Sequence, residues 1–131
     1  MWKETIICVV IVIAIVIGNY ITQNYTVQSV EELTSKLGEL KQEIVKEEGD
    51  IDREKSNNKM EEIKKSWEAR HDKLAYFIEH DELEKVETDL TSLKSFIETN
   101  SYSEATSELD KSVFVLQHIE DKYAFNLENV F

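Results

Sequence analysis

The chain is predicted to be all-α: an N-terminal transmembrane helix, then a stalk helix, then a small antiparallel helical bundle. Three observations lead there. The 131 residues include no proline and only three glycines, Gly18, Gly38 and Gly49. Proline breaks helices because it lacks the N–H donor and clashes with the preceding turn, so a proline-free chain rich in Glu, Lys, Leu and Ile favours helix. Residues 6–17 form an unbroken apolar run. Beyond it, apolar residues recur at the helical period between short polar junctions. This length allows one folded domain, not comfortably two.

The apolar run, Ile-Ile-Cys-Val-Val-Ile-Val-Ile-Ala-Ile-Val-Ile, is short for a bilayer by itself. Thr5, Gly18 and Ile21 extend it, and Trp2 and Tyr20 stand where interfacial aromatics belong. A helix between those two aromatics rises about 27 Å, close to the hydrocarbon thickness. Residues 1–21 are therefore expected to be an uncleaved signal-anchor with a short cytoplasmic N-terminus, contacting the lipid bilayer through residues 5–21. A cleaved signal peptide is the competing reading. It needs a small-residue cleavage site, for which Val16-Ile17-Gly18 is a poor substitute. Lys3 precedes the run and the next Lys or Arg is Lys36, so the positive-inside bias places the following domain outside the cytoplasm.

Residues 22–56 read as linker and stalk helix. Val30, Leu33, Leu37, Leu40 and Ile44 fall on a heptad, but the frame then meets Glu47, Ile51 and Glu54, so the seam fails after about two heptads. Gly49-Asp50 and the polar stretch after it mark the expected break, although one glycine costs only about 1 kcal/mol and leaves a continuous bent helix open.

Residues 57–131 are expected to hold the bundle, with helices at about 58–79, 82–99 and 103–125. Asn57 or Asn58 is the expected cap of the first, whose stripe is Met60, Ile63, Trp67, Leu74, Phe77 and Ile78. Asp81 with Glu84 three residues on resembles a capping box, and Leu83, Val86, Leu90, Leu93 and Ile97 follow without a gap. Asn100 suits the left-handed residue that ends a helix. Ser101 with Glu104 opens the last helix, whose stripe is Ala105, Leu109, Val113, Leu116 and Tyr123, widened by Phe114, Val115 and Ile119. Short links force antiparallel neighbours. Trp67 and Leu116 are expected core residues. Nine of the twelve aromatics lie from Trp67 onward, which concentrates the expected core in the C-terminal half.

The formal charge of −12, from 27 acidic and 15 basic residues, repels phosphate backbones and speaks against nucleic acid as a partner. Cys8 is the single cysteine, so the domain after the run has no disulfide. Glu68-Ala-Arg-His71 has the Glu-x-x-His spacing of di-iron bundles, but the second half of such a site is missing, since Phe77 and Val115 precede His80 and His118 by three. Glu79-His80-Asp81-Glu82 gathers ligand-type side chains at a helix junction, where capping residues are needed anyway. There is no nucleophile elbow and no glycine-rich phosphate loop. Tyr102 with Ala105 echoes part of a tetratricopeptide helix pair, but no repeat near 34 residues supports it. Asn24-Tyr25-Thr26 is formally a glycosylation sequon and is read as chance. No catalytic, cofactor-binding or metal residue is assigned, and no cofactor is expected.

The segment from Trp67 onward, with Leu74-Ala-Tyr-Phe-Ile-Glu-His-Asp-Glu-Leu83, Tyr102-Ser-Glu-Ala105 and Asp121-Lys-Tyr-Ala-Phe-Asn-Leu-Glu-Asn-Val-Phe131, resembles a family of short proteins from spore-forming Firmicutes. That family is known as a domain of unknown function, four-three-six-three in its series. The resemblance implies a bacterial cell-membrane protein and carries over no catalytic residues. The function expected from the sequence is a non-enzymatic, membrane-tethered interaction module whose bundle docks on another membrane or envelope protein. An extracytoplasmic cation- or ligand-sensing domain is the alternative, motivated by the charge and by residues 79–82.

Overall fold

Hydroxyl side chains explain why the first helix does not stop where its sequence turns polar. Thr22 donates to the Asn19 carbonyl, Thr26 to Thr22 and Ser29 to Tyr25, at 3.0, 2.9 and 2.7 Å. Each hydroxyl is satisfied by the turn before it, so the backbone need not unwind. The computed structural model describes residues 1–128, and only the backbone of Glu48 and of residues 124–128. In it α1 runs unbroken over Trp2–Ile44. A 3₁₀ turn at Glu48–Asp50 leads into α2, Arg53–Leu74, then α3, His80–Glu98, and α4, Tyr102–Glu128. No strand occurs among the described residues. Positions 129–131, the end of the quoted C-terminal motif and of the expected bundle, lie outside the described residues.

Cross-links between helices give the topology. Glu39 and Glu43 of α1 meet Lys59 and Lys55 of α2, while Glu32 meets Arg70. Lys64 and Lys94 join α2 to α3 through Glu87 and Glu61. Glu82 and Asp89 of α3 meet Lys122 and Lys111 of α4, and Lys41 of α1 meets Asp110. In every pair one number rises as the other falls, so neighbours run antiparallel. Each helix packs on two others, α1 on α2 and α4, α3 on α2 and α4. This is an up-and-down four-helix bundle.

The stalk expectation is thereby corrected. Val30, Leu33, Leu37, Leu40 and Ile44 are buried in one core with Met60, Trp67, Leu90 and Leu116. The C-terminal half of α1 is a wall of the bundle, and residues 20–28 are helix rather than link. Two clean heptads suffice because the helix needs a seam only as long as the bundle it lines. The seam ends at Ile44, and so does α1.

Other boundaries differ as well. α2 starts after Asp52, whose carboxylate accepts from the Lys55 N–H at 3.0 Å; Asn57 and Asn58 sit inside the helix. It ends at Leu74, and Phe77 and Ile78 lie in the turn to α3. Glu79, not Asp81, precedes α3 and makes no side-chain cap; Asp81 and Glu82 lie in the first turn, where negative charge meets the helix dipole. Phe114 does not widen the buried stripe of α4: it is 70% exposed, while Val115 is half-buried and Ile119 buried. Val113 and Leu116 already set the inward direction, and Phe114 stands about 100° from Val113 and 200° from Leu116 around the helix.

Candidate functional site

Two regions bear on function, the exposed half of α1 and the polar side chains that tie the bundle together. The side chains of residues 6–17 are exposed throughout, and burial begins only at Thr26. Among the described residues, none of the bundle covers the apolar half. Among the described residues α1 is the one helix long and apolar enough to cross a membrane. Membrane anchors and signal sequences share that pattern.

The residues weighed for metal chemistry are placed apart or given other work. Glu68 is exposed. His71 lies edge-on to Trp67 with ring centroids 5.5 Å apart, and its Nδ1 is 3.4 Å from the Asp72 carboxylate. At the α3 start, Lys122 of α4 reaches Glu79 at 3.5 Å and Glu82 at 3.2 Å. That pairing, led by the hydrogen bond to Glu82, raises the Lys122 pKa. His80 faces Glu84 at 3.9 Å and Asp81 is exposed. His118 is exposed on α4. Among the described residues no three His, Cys, Asp or Glu side chains gather as a metal site.

Two polar clusters leave little trace in the sequence. The Trp67 indole N–H donates to the Glu87 carboxylate, which also pairs with Lys64 at 3.0 Å. Burial pushes the Glu87 carboxyl up, but Lys64 and Trp67 outweigh it and hold the group below its ordinary value. Across α1 and α2, Glu32 accepts from Ser66 at 3.0 Å and pairs with Arg70, which also donates to Ser29 at 3.2 Å. Burial raises the Glu32 carboxyl too, and Ser66 and Arg70 again bring it down. Arg70 and Lys73 both stand over the Tyr25 ring, 5.1 and 4.5 Å from its centre. Glu32 and Glu87 flank the apolar stripes, and the only signal for them is their place on the edge of a stripe. Carboxylates held ionised by fixed cations act as clamps between helices, not as proton donors near neutral pH.

The far end of the bundle carries a hollow of roughly 480 Å³ between the α1–α2 and α3–α4 turns, lined by Ile44, Val45, Ile51, Asn100 and Tyr102. The end nearer the apolar half of α1 is closed by Phe77 against Tyr25, ring centroids 6.2 Å apart, and by the Tyr123 hydroxyl accepting from the Glu79 N–H at 2.8 Å.

A family model described as a domain of unknown function, DUF4363, matches residues 20–130, which include the whole described bundle. No curated protein and no solved structure matches the chain.

Proposed function

The chain belongs to the DUF4363 family, and from that premise we propose that it is a single-pass membrane-tethered interaction module, non-enzymatic, with its bundle outside the cytoplasm. The observation that carries the reading is the continuity of α1, whose exposed apolar half and buried half are one helix over Trp2–Ile44. Such a helix holds a folded domain at a fixed height above a bilayer. The match begins at residue 20, three residues past the apolar run of residues 6–17, which favours the bundle as the family unit and the span as its mount.

The side chains with ligand chemistry support a structural role. Glu82, Glu87, Glu32 and Glu43 each face a lysine or arginine on a neighbouring element or turn. The partner is another envelope or membrane protein, met by the polar outer faces of the helices.

A C-terminal fusion to a reporter active only outside the cytoplasm tests topology. Activity that stays in the membrane fraction is the expected result. An inactive reporter overturns the orientation, and release of an active one into the medium means cleavage. Crosslinking in native membranes followed by mass spectrometry then identifies the partner; recovery of the chain alone contradicts the interaction role.

A further inference from the structure

We propose that the end of the bundle nearest the span sits in the lipid headgroup layer, with the Tyr76 ring as its contact and zwitterionic lipid as its partner. This rests on the reading of α1 as a membrane span. Tyr76 lies in the turn between α2 and α3 and is 89% exposed. Its neighbours are committed to the fold: Phe77 packs on Tyr25, Ile78 is buried, and the Glu79 N–H is held by Tyr123. Among the described residues the Tyr76 ring has no such partner, and a rigid amphipathic ring left outside is the residue type that bilayer interfaces collect.

Height along α1 places that turn. The apolar, exposed stretch ends at Ile21, and Tyr25, which touches the turn, is four residues on, a rise of about 6 Å. The headgroup layer is roughly 5–7 Å thick on each side of the hydrocarbon core. Because α1 has no break between residues 21 and 25, the turn has no hinge by which to swing clear.

α4 gives independent support. Gln23 donates to the Tyr123 carbonyl at 3.1 Å, so Tyr123 stands level with residue 23. The α4 backbone continues to Glu128, antiparallel to α1, which carries it back toward the span by about 7 Å. Charge selects the lipid. Asp72, Glu79, Asp81 and Asp121 are exposed at this end and outnumber its lysines, Lys73 over the Tyr25 ring and Lys122 engaged by Glu79 and Glu82. An acidic rim is repelled by anionic lipid and tolerated by zwitterionic lipid.

The test uses the full chain in phosphatidylcholine vesicles, with Cys8→Ala and a single environment-sensitive fluorophore at V12C, Y76C or F114C. Phe114 is nine residues above Tyr123 on α4, about 14 Å farther out, and exposed, so it reports the aqueous side. Nitroxide on the headgroup should remove most of the Y76C emission and leave F114C unchanged, while nitroxide deep in the acyl chains should quench V12C. Replacing part of the phosphatidylcholine by phosphatidylglycerol should weaken the Y76C quenching. A Y76C signal that matches F114C while V12C is quenched overturns the inference and leaves the tether standing. An unquenched V12C overturns both, and Y76C quenching that grows with phosphatidylglycerol overturns the choice of lipid.

Discussion

Glu43 does at one position what the bundle does as a whole, which is to join segments by pairing charge. It is buried at the end of α1, where it accepts from the Lys46 ammonium at 2.8 Å and from the Asp52 N–H at 3.0 Å, with Lys55 3.5 Å away. Lys46 first, then the Asp52 N–H, bring its pKa from 4.5 to about 2. A carboxyl depressed in the folded state stabilises it fully above the unfolded value and loses that contribution as pH falls through the folded one. The thermal midpoint should therefore drop as pH is lowered from about 4.5 toward 2, and Glu43→Gln should reduce the drop while lowering the midpoint at neutral pH. Melting curves of both proteins across that range check it. Trp67 and His71 differ sharply although their rings touch. Trp67 is wholly buried, and Trp67→Ala should cost about 3–5 kcal/mol. His71 is half-buried, and His71→Ala should cost less than about 1 kcal/mol. Equal losses in denaturant titrations would mean that the histidine carries a buried partner. Core residues such as Trp67 and Leu116 were legible because burial follows period. Glu43, Glu82 and Asp89 were not, because a carboxylate becomes buried only where a cation from another helix arrives.

The clearest element-level signal lies between α3 and α4. Asn100 has φ 57°, the left-handed conformation its type predicted. Ser101 N–H reaches the Phe96 carbonyl at 2.8 Å and Asn100 N–H reaches Ile97 at 3.2 Å, which satisfies the carbonyls that a helix end would otherwise leave bare. Asn100→Gly should be neutral within a few tenths of a kcal/mol, whereas Asn100→Ala should lose about 1 kcal/mol, since a β-carbon without a polar side chain strains that conformation. Chemical denaturation of the two variants separates them. The caps of α2 and α3 were harder to read because several polar residues stand in a row before each stripe. Asp52 wins over Asn57 and Asn58 because the α1–α2 turn is already held at its N–H by Glu43. The polar start of the expected linker, from residue 22 to residue 28, is helical for a related reason. Its threonines and serine satisfy themselves within the helix, so polarity there marks the end of the apolar stretch rather than an end of structure.

On the scale of the molecule, one helix carries two surface patterns. From Ile6 to Ile17 α1 exposes aliphatic side chains on every face, and from Thr26 to Ile44 it buries one stripe against α2 and α4. The all-helical class and the apolar run were legible from composition and period. The joining of the two halves was not, because a two-heptad seam is the same pattern whether it lines a short bundle or a stalk. That continuity distinguishes a bundle joined rigidly to the apolar helix from one hung on a linker. Amide hydrogen exchange of the full chain in lipid, resolved over residues 19–28, tests it most directly. Protection there should be comparable with that of residues 30–44; exchange at the rate of unstructured backbone would contradict a continuous α1.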